Sequence, residues 1–156
     1  MIDNKEKLLI TGAAGFIGFH LSKSLLDSGF KVYGIDNIND YYDINLKYAR
    51  LKELEKHPSF KFSKLDISNY DDLSKIFNDF QPSTVVNLAA QAGVRYSLEN
   101  PFAYMSSNIV GFLNVIELCK DSKVSGLIYA SSSSVYGGNK KIPFSVDDRV
   151  DKPISL

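Results

Sequence analysis

Short apolar runs alternate along this chain with longer segments in which apolar residues recur every three or four positions. The short runs lie at about 7–11, 31–36, 60–66, 84–90 and 126–131. Such runs predict buried strands, and strands that alternate with helices build a parallel sheet covered by helices on both faces. We therefore predict an α/β fold, a Rossmann-type doubly wound parallel sheet, in one domain that spans residues 1–156.

Three of the helical segments each place their apolar residues on one face. These faces consist of Ile17, Leu21, Leu25 and Leu26; of Leu73, Ile76, Phe77 and Phe80; and of Met105, Ile109, Phe112, Leu113 and Ile116. We interpret all three faces as core. A weaker pattern within residues 37–58 predicts an extra helix that ends at His57-Pro58. After Val135 the periodicity is lost, and residues 137–156 predict a loop.

Composition narrows the class of protein. The chain has 18 basic and 18 acidic residues and a formal net charge of zero, which argues against nucleic-acid or membrane-surface partners and favours small ligands. Cys119 is the only cysteine, which excludes an internal disulfide and a cysteine-rich metal site, so no metal is expected. No apolar run approaches the roughly 18 residues of a membrane span, and the first residues are polar, so we expect a cytoplasmic protein.

A glycine-rich loop separates the first predicted strand from the first predicted helix. Gly12, Gly15 and Gly18 follow the strand with the spacing GxxGxxG. Gly12 allows a sharp turn, Gly15 lets a phosphate approach the backbone, and Gly18 allows close packing of the helix. Because the helix N-terminus adds free N–H groups and a positive dipole end, the loop predicts a site for a dinucleotide pyrophosphate. The alternative is a turn that serves only tight helix packing.

An acidic residue ends the second predicted strand. Asp36 lies 18 positions beyond Gly18, close to the spacing of about 20 residues expected for a carboxylate that binds the adenosine ribose hydroxyls. This carboxylate would repel a ribose 2′-phosphate, which prefers a nearby arginine, and no arginine precedes Arg50. The sequence therefore favours NAD over NADP.

Further motifs follow the glycine loop in order along the chain. They are Asp36, Asp66-Ile67, Leu88-Ala89-Ala90, Asn108 and the run Ser131-Ser132-Ser133-Ser134-Val135-Tyr136-Gly137. With these motifs the chain resembles the extended short-chain dehydrogenase/reductase family, and within it the nucleotide-sugar 4-epimerases. The stretches 39–43 and 91–101 are similar to those of UDP-glucuronate 4-epimerases in particular. The resemblance implies NAD as cofactor, a UDP-sugar as substrate, and a homodimeric parent in which residues 101–121 are a candidate contact helix.

The resemblance also implies a set of cofactor-binding residues. The pyrophosphate would contact Gly12, Ala14, Gly15, Phe16, Ile17 and Gly18. The adenine ribose would contact Asp36 and Asn37, and the adenine would contact Asp66 and Ile67. The middle of the cofactor would contact Leu88, Ala89 and Ala90, and Asn108 would support it. Two of these residues have simpler alternatives, since Asp66 can cap the following turn and Asn108 can bond within its own helix. Galactose-type epimerases often carry a lysine where this chain has Ala92, so that contact is not expected here.

The serine run after the last predicted strand carries the chemistry that the family implies. Ser132 would hydrogen-bond the sugar C4 oxygen, and Ser133 and Ser134 stand where related dehydratases carry Asp-Glu and decarboxylases keep a Glu. Neutral hydroxyls cannot replace that acid and base at pH 7, which disfavours a dehydratase, but they can bind a substrate carboxylate. Arg95 either clamps the substrate through a charge-assisted contact or faces solvent.

The family also uses a Tyr-x-x-x-Lys pair, whose spacing on a helix places both side chains on one face. Tyr136 and Lys140 bracket two glycines and are not expected to be helical, and Tyr48 and Lys52 lie in the extra segment, which we expect beside the adenosine end. The family spacing from Ser132 puts the tyrosine at position 157. We therefore expect an N-terminal fragment that lacks the last sheet elements and the substrate domain and is inactive alone. The alternative is a non-catalytic NAD-binding sensor or scaffold.

Overall fold

The computed structural model describes residues 6–93 and 95–151. Five strands form one sheet. They are β1 (Lys7–Thr11), β2 (Lys31–Asp36), β3 (Phe60–Lys64), β4 (Thr84–Asn87) and β5 (Gly126–Tyr129). Five helical segments connect or follow them. They are α1 (Phe16–Asp27), α2 (Ile44–Leu54), α3 (Tyr70–Phe80), the single turn α4 (Tyr96–Glu99) and α5 (Pro101–Asp121), and a 3₁₀ turn spans Ser133–Tyr136.

The sheet has the order β3-β2-β1-β4-β5, and every neighbouring pair is parallel. Leu9 of β1 pairs with Tyr33 on one side and with Val85 on the other, so β1 is the central strand. The connections run outward in opposite directions from β1 and β4, which makes the gap between these two strands the switch point of the sheet. The doubly wound Rossmann-type fold is confirmed.

The strands bury both faces, because helices cover the sheet from two sides. Leu9 points into a core that α3 and α5 complete with residues such as Phe77 and Val115. Ile10, its neighbour on β1, points into a second core that α1 and α2 complete with residues such as Leu26. The alternation of strand side chains between two apolar layers explains why the strands read as continuous apolar runs.

The first two strands end where the sequence predicts, and the other three predicted strands are longer than the observed ones at their carboxyl ends. The prediction placed the ends near residues 66, 90 and 131, whereas β3 ends at Lys64, β4 at Asn87 and β5 at Tyr129. At the end of β4 the N–H groups of Leu88 and Ala89 donate to the side chain of Thr11, so the chain leaves the sheet there. The residues beyond the strands thus form loops along one edge.

The core face predicted for α5 is wrong. Met105, Ile109 and Leu113 are each more than half exposed, whereas Val115 and Leu118 are buried against the sheet. The predicted face and the buried face are both apolar, so periodicity identified the helix without identifying the packed side. On α1, Ile17 is likewise 62% exposed and does not belong to the core.

The helix α5 contains a π-helical segment, Met105–Gly111, between two α-helical segments. Gly111 lies where a Cβ would collide with the side chain of Ile67, so the wide turn brings the backbone close to the loop that follows β3. An 18-residue window within Pro101–Asp121 has a mean hydropathy of 1.3, so by length and composition alone this helix could cross a membrane, whereas the sequence analysis expected no membrane span. Its buried side packs in the same core as β1 and α3.

Candidate functional site

A cleft opens at the carboxyl ends of β1 to β4, across the switch point of the sheet. Its walls come from the glycine loop, the ends of β2 and β3, the start of α2 and the loop after β4. The lining residues are Gly12, Gly15, Ile35, Asp36, Asn37, Asn39, Tyr41, Tyr42, Lys47, Leu65, Asp66, Ile67, Leu88, Ala89, Ala90, Gln91, Ala92 and Ser107. Most of the predicted cofactor residues therefore lie in or beside one cleft.

The glycine loop is packed so closely that side chains would block it. Gly12 has φ of 71°, and a Cβ there would lie 2.9 Å from the amide nitrogen of Ala89. A Cβ on Gly18 would collide with the carbonyl of Gly12, so Gly18 brings α1 against the loop rather than against a strand. Gly15 is the N-cap of α1, and no side chain caps this terminus. The N-terminus of α1 therefore begins at a residue of the cleft wall without a side-chain cap, and an anion bound there would meet N–H donors and the positive dipole end.

Thr11, at the end of β1, links the glycine loop to the loop after β4. Its hydroxyl donates to Oδ1 of Asn87 at 2.6 Å and accepts the N–H groups of Leu88 and Ala89 at 3.1 and 3.0 Å. Thr11 is fully buried. One hydroxyl therefore joins the end of β1 to the end of β4 and to the loop that follows it, at the point where the cleft opens.

Asp36 lies at the end of β2 and is 7% exposed. One carboxylate oxygen accepts the N–H of Ala14 at 3.2 Å, and the other accepts the N–H of Ile38 at 2.9 Å. Lys47 of α2 is also buried and places its ammonium 3.5 Å from the second oxygen and 2.8 Å from Oδ1 of Asn39. The carboxylate is thus held as an oriented anion in the wall of the cleft.

Asp66 performs the capping role that the sequence left open. One oxygen of its carboxylate accepts both the N–H and the hydroxyl of Ser68, at 2.9 and 2.7 Å. The other accepts the side-chain amide of Asn37 at 2.8 Å, which joins the ends of β2 and β3. Burial raises the pKa of the Asp66 carboxyl, but the hydrogen bonds from Asn37 and Ser68 outweigh it and hold the pKa below its ordinary value. Ile67 follows in the cleft wall.

Two asparagines of α5 hold the loops that form the cleft. Asn108 accepts the N–H of Gln91 at 2.8 Å and donates to the carbonyl of the same residue at 3.0 Å. Asn114 donates to the carbonyls of Ile67 and Ser68, both at 3.0 Å. Asn108 itself does not line the cleft, so it supports the site through Gln91, and the alternative of a bond within its own helix does not describe these contacts.

An aromatic group covers the far side of the loop after β4. Tyr41 lies with its ring centroid 5.1 Å from that of Tyr96, and Tyr96 lies 6.3 Å from Tyr104. The Tyr104 hydroxyl donates to the carbonyls of Ala92 and Gly93. Residues of the predicted extra segment thus reach across to the loop after β4.

Sequence reasoning missed several residues of the cleft, chiefly Asn39, Tyr41, Tyr42, Lys47 and Gln91. The stretch 39–43 carried a family signal, but no role followed from it. Lys47 gave no local signal at all, since a lysine on a helix is ordinarily exposed.

The predicted substrate residues do not line this cleft. Ser132 is exposed and caps the 3₁₀ turn by accepting the N–H of Ser134 at 3.2 Å. Ser133 and Ser134 are also exposed, one strand away from the cleft, beyond the end of β5. Arg95 is exposed at the start of α4. The structure thus places all four on the carboxyl side of the sheet without bringing them into contact with the predicted cofactor residues.

Neither Tyr-x-x-x-Lys pair forms a helical pair at the cleft. Tyr136 ends the 3₁₀ turn and stacks on Phe144 at a centroid distance of 4.4 Å, and Lys140 lies outside any helix. Tyr48 and Lys52 both lie on α2, where both are exposed. That neither pair is catalytic stays a prediction.

A parallel sheet of this order, with a glycine loop that opens α1 and a carboxylate at the end of β2, defines a Rossmann-type α/β domain. The family described as GDP-mannose 4,6 dehydratase matches residues 9–155, and the chain belongs to this family, part of the extended short-chain dehydrogenases/reductases.

The chain is also similar to individual proteins of known name. The chain is 59% identical over 150 residues to Protein CapI of Staphylococcus aureus, and 52% identical over 147 residues to a UDP-glucuronate 4-epimerase of Thermodesulfobacterium geofontis. These alignments cover 96% and 94% of this chain and 45% of each relative. The crystal structure of the UDP-glucuronic acid 4-epimerase from Bacillus cereus, in complex with UDP-glucuronic acid and NAD, matches with a TM-score of 0.83 at 41% identity, over 96% of this chain and 46% of that one. The chain therefore spans about half the length of the relatives it matches.

Proposed function

We propose that this chain binds NAD in the cleft at the switch point of its sheet. The observation that carries the proposal is Asp36, an oriented and almost fully buried carboxylate at the ribose end of the glycine loop. The fit is supported by the loop itself, because Gly12 and Gly18 leave no room for a Cβ and α1 has no side-chain cap. An adenosine ribose, a pyrophosphate and an adenine would meet Asp36, the first turn of α1 and Ile67 respectively.

We further propose that the whole protein is a nucleotide-sugar 4-epimerase of the UDP-glucuronate type. The named relatives support this, since two of those compared carry that activity in their names. The serine run supports an epimerase over a dehydratase, because the positions after Ser132 carry hydroxyls in place of an acid and a base.

In this reaction NAD would accept and return the hydride at C4 of the sugar. The chain's own residues would bind and orient. Asp36 would hold the ribose, and Thr11 would keep the loop after β4 at the correct distance. Ser132 would donate its hydroxyl hydrogen to the C4 oxygen, while its oxygen continues to accept the N–H of Ser134. Ser133, Ser134 and Arg95 would bind the sugar carboxylate, which suits their exposed position on the carboxyl side of the sheet.

Calorimetric titration of the 156-residue chain with NAD tests the cofactor proposal. We expect binding that Asp36→Ala weakens at least about ten-fold, since a charge-assisted hydrogen bond contributes about 1.5–3 kcal/mol. The matched control is Asp40→Ala, an exposed carboxylate outside the cleft lining, which should leave the affinity unchanged. No binding at millimolar NAD would contradict the proposal.

The gene sequence beyond the codon of Leu156 tests the catalytic proposal. A tyrosine codon at position 157 and a lysine codon at 161 would support it, whereas a stop codon would favour the binding-only alternative. With the whole protein and UDP-glucuronate, proton NMR should detect the C4 epimer, and the 156-residue chain alone should show no turnover.

Arg95→Ala in the whole protein should raise KM with little change in kcat, and an unchanged KM would remove Arg95 from the site.

A further inference from the structure

The segment between β2 and α2 meets the loop after β4 across the end of β1. Tyr41 belongs to this segment, and its ring centroid lies 5.1 Å from that of Tyr96, which begins α4. In the sheet, β1 lies between β2 and β4, and the glycine loop follows its carboxyl end. The contact between Tyr41 and Tyr96 therefore spans the end of β1, beside which the proposed pyrophosphate site lies.

A glycine allows the close approach of Tyr41 to this loop. Gly93 has φ of 92°, and a Cβ there would lie 2.6 Å from the hydroxyl oxygen of Tyr41. The Tyr104 hydroxyl donates to the carbonyls of Ala92 and Gly93, so α5 holds the loop in position beside the Tyr41 ring. We call Tyr41, Gly93 and Tyr96 the tyrosine bridge.

The tyrosine bridge is the second of two contacts that the loop after β4 makes with the other walls of the cleft. The first lies beside the sheet, where a Cβ on Gly12 would lie 2.9 Å from the amide nitrogen of Ala89. Gly12, Ala89 and Tyr41 all line the cleft. Because Gly93 follows Ala89 along the loop, a dinucleotide in the cleft would lie between the two contacts. The bridge would then have to open for the dinucleotide to enter or leave.

The structure of the segment allows such an opening. Residues 37–43 form neither a helix nor a strand, and Tyr41 is 46% exposed. The next residue, Tyr42, is held by α2, because its hydroxyl accepts a hydrogen bond from Arg50 at 3.1 Å. The segment thus has an anchor at α2, and the ring contact of Tyr41 is the part that can separate. One aromatic pair changes an equilibrium constant by about three- to ten-fold, so separation is not prohibitive.

We propose that the tyrosine bridge is a gate over the cleft, which opens to admit NAD and closes again over the bound cofactor. This inference rests on the proposed NAD site. The stability of the closed bridge enters the association rate and the dissociation rate alike, so the gate slows exchange of NAD with little effect on its affinity. Since the proposed reaction returns the hydride to the sugar, NAD need not leave between turnovers, and slow exchange suits that reaction.

Tyr96→Ala is the test variant, because Tyr96 belongs to the bridge but does not line the cleft. The probe is etheno-NAD, a fluorescent analogue, in stopped-flow measurements on the 156-residue chain. Its concentration dependence gives the association rate constant, and displacement by excess NAD gives the dissociation rate constant. We expect both rate constants to rise about three- to ten-fold, the size expected of one aromatic pair. The dissociation constant should change by less than about two-fold, because the two effects cancel.

Three further variants test the assignment to the ring contact. Tyr96→Phe keeps the ring and should keep both slow rates. Tyr48→Ala is the matched control, since Tyr48 is an exposed tyrosine of α2 outside the cleft lining, and it should leave both rates unchanged. Tyr41→Ala should accelerate association as Tyr96→Ala does, and the double variant should be no faster than the faster single variant, because both remove one contact. Circular dichroism verifies that each variant is folded.

The association rate decides the outcome, because a residue that only stabilises the complex changes the dissociation rate and the affinity together. An unchanged association rate in folded Tyr96→Ala would overturn the gate, even with faster dissociation. So would an equal acceleration by Tyr48→Ala or Tyr96→Phe. Should Tyr96→Ala not fold, Tyr41→Ala provides the same test. If calorimetry detects no binding of NAD to the unmodified chain, the proposed function fails together with this inference. If NAD binds and association does not accelerate, only the inference fails.

Discussion

Replacing Thr11 with valine would remove the hydroxyl that joins β1 to the loop after β4 while keeping the volume of the side chain. In the native chain this hydroxyl donates to Asn87 and accepts the N–H groups of Leu88 and Ala89. Leu88 keeps its second acceptor, the carbonyl of Thr11, at 3.3 Å. The substitution therefore leaves the side-chain oxygen of Asn87 and the N–H of Ala89 without these partners.

Each polar group left unsatisfied in a buried site costs about 1–3 kcal/mol. Two such groups, one of them only half-buried, give a loss of about 3 kcal/mol in the free energy of unfolding for Thr11→Val. Thr11→Ser keeps the hydroxyl and loses one buried methyl group, which costs about 1 kcal/mol. The valine variant should therefore be the less stable of the two, although valine is the closer match in shape and is favoured in strands.

Urea unfolding followed by circular dichroism measures both variants against the unmodified chain, and the slope m should stay constant. In thermal unfolding, about 3 kcal/mol corresponds to a decrease in Tm of about 6–12 °C for a chain of this size. A valine variant as stable as the serine variant would refute the reasoning, because the Thr11 hydroxyl would then contribute no more to the free energy of unfolding than the Thr11 methyl group does.

Other predictions follow from packing and titration. Gly18→Ala should lower the free energy of unfolding by about 1–3 kcal/mol, because its Cβ collides with the carbonyl of Gly12. Gly138→Ala is the control and should leave the free energy of unfolding unchanged, since nothing lies within 4 Å of its Cβ. Equal urea midpoints for the two variants would contradict this prediction. Burial raises the pKa of the Cys119 thiol to about 11, so a disulfide reagent at pH 8 should label the chain only in denaturant, and rapid native labelling would show the thiol to be accessible. Hydrogen bonds from Asn37 and Ser68 lower the pKa of Asp66, so its stabilisation is present above the ordinary value of 3.8 and is lost as the pH falls through the lower folded value. Unfolding measured from pH 6 into acid should therefore show that Asp66→Asn destabilises the chain less as the pH falls, and a constant effect would contradict this.

The order of strands and helices could be predicted from the sequence because each strand carries apolar residues for two core layers, as Leu9 and Ile10 do on β1. The sequence did not predict which side of α5 packs against the sheet. Its outer face, with Met105 and Ile109, is as apolar as the inner face, and only the tertiary structure decides which one meets the sheet. The π-helical segment also changes the phase of the helix between its two ends, which a constant period cannot represent.

The residues of the candidate site also fall into those that the sequence predicted and those that it did not. Gly12 and Asp36 were found from sequence because local rules demand them: a positive φ at one and a carboxylate after a strand at the other. Lys47 and Asn114 act through contacts with residues 11 and 47 positions away, and such contacts have no local signature. Asn108 was predicted to support the cofactor, which stays a prediction, and its side chain forms two hydrogen bonds with the backbone of Gln91 in the cleft wall.

Asn108 and Asn114 belong to one helix and grip the loops after β4 and β3 respectively. The helix therefore connects two walls of the cleft through hydrogen bonds, and a displacement of its axis would act on both walls at once. Its outer side, which includes Ile109 and Leu113, is free of the core. By thermodynamic linkage, a molecule that presses on that outer side and favours one helix position would change the affinity of the cleft, and a ligand that fixes both walls would change the affinity of that outer contact by the same factor.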